Sequence, residues 1–162
     1  YPFTPQAAIS QAIIQISDVP VFVGVGGGIT SGERSVQLAM QAEHQGAYGV
    51  VVNAPMPCEV IHKIKSAVDI PVIVTVVSER MDVAGRIAAG ADFVNVSGAA
   101  NTARIVRKLR TEFPDLPTIA TGGPTDASIL ETIEAGANAI TITPPTNGSL
   151  FAGIMEKYRD TL

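Results

Sequence analysis

Short apolar runs and longer amphipathic stretches alternate along this chain at nearly constant spacing. The runs VFVGV, YGVVVN, VIVTVV, DFVNV, TIAT and AITIT are rich in β-branched residues and show no sustained polar alternation. Such runs read as parallel strands buried on both faces, predicted at about 21–25, 48–53, 72–77, 92–96, 118–121 and 139–143. After each, apolar residues recur at helical spacing, which predicts helices over about 32–45, 57–67, 80–89, 102–112, 125–135 and 147–159. A further helix precedes the first strand. Thr4 and Pro5 fit an N-cap and a first helical position, and Ala8, Ile9, Ala12, Ile13 and Ile16 follow at helical spacing until Pro20. The sequence therefore begins on a helix, with its preceding strand absent or upstream of residue 1.

A two-part cassette punctuates this order three times. Asp18-Val19-Pro20, Asp69-Ile70-Pro71 and Asp115-Leu116-Pro117 each precede one strand, 51 and 46 residues apart. Gly46-Ala47, Gly90-Ala91 and Gly136-Ala137 each precede the next, 44 and 46 residues apart. An internal period fixes the architecture before any motif is read, and here the unit is a double strand-helix pair. Glycine at a helix end suits a left-handed cap, and the residue before proline avoids the helical region. Both elements thus fall at the N-terminal ends of the strands. They read as stability features, because in barrels the chemistry gathers at the opposite face.

Helices alternating with every strand through short loops predict parallel, right-handed crossovers. The expected fold is α/β: one TIM-barrel-like domain over residues 1–162 with six parallel strands, an incomplete or truncated eight-stranded barrel. Strands upstream of Tyr1 would complete it, or a second chain, as in a homodimer, would cover the exposed edges. A self-contained six-stranded barrel would be tighter than the usual packed interior.

Composition adds exclusions. Apolar residues make up 46% and aromatics 5%, with no Trp, so the core is built of Val, Ile and Ala between sheet and helices. Net charge is −4 with scattered signs, which leaves no basic footprint for nucleic acid or an acidic membrane. No run approaches the roughly 18–20 apolar residues of a membrane span, and the stretch 7–16 lacks the basic start of a signal peptide. Cys58 is the only cysteine, so neither an intramolecular disulfide nor a Cys-cluster metal site can form, and a reducing, cytoplasmic setting is expected.

Candidate chemistry lies where strands end and helices begin, at residues that are small, polar and mostly uncharged. Asn53, Thr75 and Asn95 interrupt strands otherwise made of Val and Ile. A buried amide or hydroxyl must find a partner, so these imply a polar, hydrated centre or a ligand; ligand contact is favoured over structural filling for Asn53 and Asn95, and Ser97 lies just beyond them. Gly27 and Gly28 belong to the glycine-rich segment 24–32, read as a lid or a backbone wall against a ligand. A dinucleotide fingerprint is disfavoured there, because Asn53 stands where an acid belongs, and no Gly-Lys-Ser/Thr P-loop exists. Glu79, just past the third strand, is the leading acid-base candidate; the alternative is a solvated first-turn carboxylate. Lys63, Lys65, Lys108 and Lys157 all fall on helices, against a Schiff-base aldolase. His44 and His62 also fall on helices, so no catalytic metal is expected, and no cofactor is indicated.

Gly122 and Gly123 end the fifth strand, Thr125 and Asp126 open a helix, and AGANAITITPP follows. Backbone amides exposed by glycines at a helix start can hold an anion; the same glycines equally suit a tight strand-to-helix turn. Residues 118–145 resemble the last two units of the phosphate-binding (β/α)8 barrels, the group that includes thiamine phosphate synthase and IMP dehydrogenase. That resemblance implies phosphate contacts from Gly122, Gly123, Thr143 and the amides near Thr146 to Gly148. The match departs at Thr143-Pro144-Pro145, where the group often has Gly-Ser or Gly-Thr and the prolines remove two backbone donors. The whole chain is also similar to small bacterial barrel proteins carried under a nominal hydrolase label, which implies no established reaction.

Two expectations follow. One is an enzyme that binds a small anionic, phosphorylated metabolite at the C-terminal ends of the strands and performs isomerase, lyase or hydrolase chemistry. The other is a non-catalytic ligand-binding or interaction module that keeps the barrel fold.

Overall fold

In the computed structural model, which describes residues 5–160, the alternation becomes one parallel sheet backed by helices. In chain order the elements are α1 (Ala7–Ile16), β1 (Phe22–Gly26), α2 (Glu33–His44), β2 (Gly49–Val52), α3 (Cys58–Ala67), β3 (Val72–Val76) and α4 (Val83–Ala88). Then follow β4 (Phe93–Val96), a 3-10 turn (Ala99–Asn101), α5 (Thr102–Glu112), β5 (Thr118–Thr121), α6 (Asp126–Glu134), β6 (Ala139–Thr141) and α7 (Asn147–Arg159). The six strands lie in sequence order, each parallel to the next, as part of a barrel. The expected cap at Thr4 lies outside the described residues. Among the described residues, no helix is long and apolar enough to cross a membrane.

Alternate strand residues face opposite sides of the sheet. Val50, Val52, Val72 and Val74 pack on α2 and α3 through Ala39, Ile61 and Ile64. Val76, Val94, Val96 and Ala120 pack on α5 through Ala103, Val106 and Leu109. The intervening residues, Val51, Ile73, Thr75, Phe93 and Asn95 among them, are left for the concave face.

Burial on both faces holds for β3, which is buried throughout, but not for the outer strands. Phe22 in β1 is exposed and β6 has no buried residue, because each is the edge of an open sheet with one covering neighbour. The face of α1 differs for the same reason. Ile9, Ile13 and Ile16 are exposed, and Ile14 packs on the core instead. The helix after β3 begins at Val83 and not at residue 80, because the Asp82 carboxylate accepts the Gly85 N–H at 2.8 Å and caps it there.

The cassette is a closure repeated three times at the N-terminal ends of the strands. Gly46, Gly90 and Gly136, just past α2, α4 and α6, have φ of 93°, 109° and 103°. Each donates its N–H to the carbonyl of Glu43, Ile87 or Ile133, and the alanine that follows donates to Ala42, Arg86 or Thr132. This is the Schellman pattern. A side chain from the helix one unit back lies over each glycine: Ile14, Lys65 and Arg110 respectively. The residue after Gly-Ala then completes the start of a strand. Asp92 accepts the Val72 N–H and the Lys65 ammonium, at 2.8 and 2.9 Å. Asn138 accepts the Thr118 N–H at 2.8 Å and the Arg110 guanidinium, which also holds the carbonyls of Pro114, Leu116 and Gly136. The first copy is apolar: Tyr48 occupies the equivalent place and meets Phe22 edge-on, with ring centroids 6.4 Å apart.

Magnitudes separate the two bonds at Asp92. Lys65 and Asp92 are each about a third exposed, so their ion pair contributes about 1 kcal/mol or less. The bond from a backbone N–H to a carboxylate is the larger, about 1.5–3 kcal/mol. Asp92→Asn copies Asn138, keeps an acceptor for Val72, and is expected to cost less than about 1 kcal/mol. Asp92→Ala leaves that N–H unpaired and should cost about 2 kcal/mol or more. Urea unfolding of both variants beside Lys65→Met tests the order; equal losses in all three would show that the ion pair carries the closure.

Candidate functional site

The register gathers three of the expected residues into one row. Val52, Val74 and Val94 stand opposite one another across β2, β3 and β4, and Thr75 stands opposite Asn95. Asn53, one residue past Val52, continues that line, so Asn53, Thr75 and Asn95 follow one another at the C-terminal ends of adjacent strands. Strand spacing puts neighbours in such a row about 5 Å apart. Beneath it on the same face lies an apolar row of Val51, Ile73 and Phe93, with Ile73 fully buried. Burial grades along the polar row: Asn53 is exposed, Thr75 is buried, and the Asn95 Oδ1 is sealed from solvent with no hydrogen-bond partner. A sealed carboxamide oxygen without a donor is costly.

Asn53 sits on a fixed backbone. Its N–H donates to Gly26 at 2.8 Å, and its carbonyl accepts from Met56 at 3.0 Å, closing the turn Asn53-Ala54-Pro55-Met56. Gly27, with φ 108°, lies flat against it; a Cβ at Gly27 would stand 2.6 Å from the Asn53 nitrogen and 2.8 Å from its oxygen. Gly27 thus forms a backbone wall against Asn53, whereas Gly28 is exposed with open space around it. Ser31 donates to the Met56 sulfur at 3.6 Å, tying the glycine-rich loop to the same turn. From the far side, Arg86 of α4 donates to the carbonyls of Ala54 and Met56. Arg86 escaped the sequence reading. It sits in an ordinary helical stretch, and no pattern in the chain marks a contact 30 residues away.

Other expected residues are not brought to this row. The Glu79 carboxylate meets Arg104 of α5 at 3.1 Å, and its carbonyl accepts from Lys108. Ser97 is exposed two residues beyond Asn95, and Thr143 is exposed past the edge strand β6. Gly122 and Gly123 each have a packing account. A Cβ at Gly122 would lie 2.7 Å from Ile140 and 2.8 Å from Ile129, and one at Gly123 2.6 Å from the Ser128 hydroxyl. The start of α6 is closed by its own capping box, in which the Thr125 hydroxyl accepts the Ser128 N–H and the Ser128 hydroxyl accepts the Thr125 N–H. Thr146 likewise caps α7 by accepting the Ser149 N–H. These helix starts therefore present fewer free donors than glycine content alone suggests. Beside the start of α6, a cleft of about 470 Å³ runs between Ala99, Thr102, Thr121, Gly123 and Glu131. Ala99 has φ 52°, unusual for a residue with a Cβ. No group of three or more His, Cys, Asp or Glu side chains is placed to share a metal ion among the described residues.

No protein-family model and no curated protein matches the sequence. Solved structures do match the fold. One is 2,3-dimethylmalate lyase, a PEP mutase/isocitrate lyase superfamily member, with a TM-score of 0.71 and 19% identity over 96% of this chain and 66% of that one. QR15, an aldolase, gives a TM-score of 0.69 and 20% identity over 83% of this chain and 73% of that one. Phosphoenolpyruvate phosphomutase from Streptomyces platensis subsp. rosaceus gives 0.68 and 20%, over 94% and 64%. At such identities the likeness is one of fold: this chain has the TIM-barrel-like architecture and spans roughly two-thirds to three-quarters of those chains. None of the three is named a hydrolase.

The two glycines at the wall should separate cleanly. Gly27→Ala forces a Cβ into the Asn53 backbone at a positive φ and is expected to cost about 2–3 kcal/mol. Gly28→Ala meets nothing and should stay within about 0.5 kcal/mol. Denaturant midpoints of the pair decide it, and a tolerated Gly27→Ala would mean the wall is not rigid.

Proposed function

We propose that the chain binds a small hydroxylated acid, carboxylate or phosphate, over the row Asn53–Thr75–Asn95, as a lyase- or isomerase-type barrel. The observation that carries this reading is the Asn95 Oδ1, sealed on the concave face with no donor to meet it. A ligand hydroxyl or amine supplies that donor. The Thr75 hydroxyl and the Asn53 carboxamide, which makes no hydrogen bond among the described residues, offer further polar contacts, and the half-buried Val51 and Phe93 take the carbon skeleton. Arg80, on the loop after β3, is exposed and has no ion-pair partner among the described residues, so it supplies a cation for the acid group. Support from the comparisons is of class only: a dimethylmalate lyase and a phosphoenolpyruvate phosphomutase act, by name, on small acids.

For catalysis in this reading Glu79 must leave Arg104 of α5 to serve as the proton-transfer group, since the other carboxylate of its loop, Asp82, is committed to capping α4. A second reading is favoured by one observation. The ion pair of Glu79 with Arg104 turns its carboxylate toward α5, which suits a binding module without catalysis.

Thermal unfolding with malate, mandelate, phosphoenolpyruvate and inorganic phosphate tests the site. A probe at about 100 times its Kd stabilises the fold by about 2.7 kcal/mol. Asn95→Leu is expected to hold or raise the stability of the free protein, because it removes an unpaired buried oxygen, while weakening the probe about tenfold or more. A destabilised Asn95→Leu that still binds would make Asn95 a structural residue and end the proposal. Glu79→Gln then separates the two readings: turnover of a bound probe lost with binding intact supports an enzyme, and no turnover by the wild type supports the module.

A further inference from the structure

Arg86 belongs to the outer helical layer, yet its guanidinium is committed to a turn at the mouth of the sheet. One Nη donates to the Met56 carbonyl at 2.9 Å and the other to the Ala54 carbonyl at 2.7 Å. Two bonds from one planar group fix orientation as well as position, which a single-point ammonium does not. The turn so gripped begins at Asn53, and the rest of Asn53's backbone is held independently. Its N–H is taken by Gly26, its carbonyl by Met56, and its Cα side is backed by Gly27 at a distance that excludes a Cβ. The Asn53 side chain alone is uncommitted: it is exposed and makes no hydrogen bond among the described residues. A free polar side chain on a fully fixed backbone has met much of its ordering cost before any ligand arrives.

We infer that Arg86 is a positioning residue, which through the carbonyls of Ala54 and Met56 holds the Asn53 carboxamide ready for a polar atom of a ligand lying over Thr75 and Asn95. The inference rests on the ligand site proposed above and adds the means by which it is pre-formed. Arg86 touches no ligand in this scheme. If the fork is only a brace, removing it lowers stability and leaves affinity unchanged. If it positions Asn53, affinity falls through Asn53 and through no other route.

The test uses Arg86→Met, Arg86→Lys, Asn53→Ala and the double variant Arg86→Met/Asn53→Ala, with malate, mandelate, phosphoenolpyruvate and inorganic phosphate as probes. Amide hydrogen exchange at Met56, whose N–H closes the turn, should rise about tenfold in Arg86→Met while that of Val94 stays unchanged. Probe affinity should fall about tenfold in Arg86→Met and by a similar factor in Asn53→Ala. The double variant should lose little more than either, because both remove one contact. Arg86→Lys reaches only one carbonyl and should fall between. Unchanged exchange at Met56 would show that the fork does not hold the turn. Faster exchange with unchanged affinity, or additive losses in the double variant, would leave Arg86 a brace; if Asn95→Leu still weakens the probe, the proposed function survives that result. If no probe binds the wild type, the site and the positioning role fall together.

Discussion

A parallel strand that starts just after proline has a backbone N–H pointing toward a neighbour that has not yet begun. In this chain the side chain of the residue before that neighbour supplies the missing acceptor. Asp92 takes the Val72 N–H one residue ahead of β4, and Asn138 takes the Thr118 N–H just ahead of β6. Because the same side chains also engage Lys65 and Arg110, one contact ties the start of a strand to the start of the strand before it and to the end of the helix that precedes that strand. The carboxylate and the carboxamide are interchangeable here because the geometry asks for an oxygen, not a charge. That also explains why Arg110 can bind Asn138 without an ion pair: its other donors go to three backbone carbonyls at the same corner.

With the N-terminal ends fixed in this way, register follows, and register makes the row. Asn53, Thr75 and Asn95 come from three strands and were legible singly as polar residues among Val and Ile. Their alignment was not, since it depends on where each strand begins to pair. The repeat was legible for a related reason. Its glycines and prolines act through local backbone geometry, which a sequence displays, and the left-handed φ of Gly46, Gly90 and Gly136 bears this out. Arg86, Lys65 and Asp92 act across 20 to 32 residues, and helical spacing says nothing of such contacts. Gly122 and Gly123 illustrate a third case. Glycine at a strand end suits an anion and also suits a crowded turn, and only the positions of Ile129, Ile140 and Ser128 show the crowding.

The open sheet ranks the candidate regions physically. β3, with β2 and β4 on either side, is buried along its length, whereas β6 carries no buried residue and α7 leaves Leu150, Phe151, Ile154 and Tyr158 exposed. A ligand contact needs side chains held within a fraction of an ångström, and that rigidity comes from packing on both sides. Thr143 and the start of α7 adjoin the edge strand and have little of it, so any contact made there depends on what covers β6. The row on β2, β3 and β4 has flanking strands on both sides of Thr75 and Asn95; Asn53 is held from the β1 side by Gly26 and Gly27, and the turn it opens is held from the α4 side by Arg86 through Ala54 and Met56. Its geometry is therefore set within the described residues, independently of how the two edges are closed. A site that must be preformed belongs on those central strands, and the sealed oxygen of Asn95 lies among them.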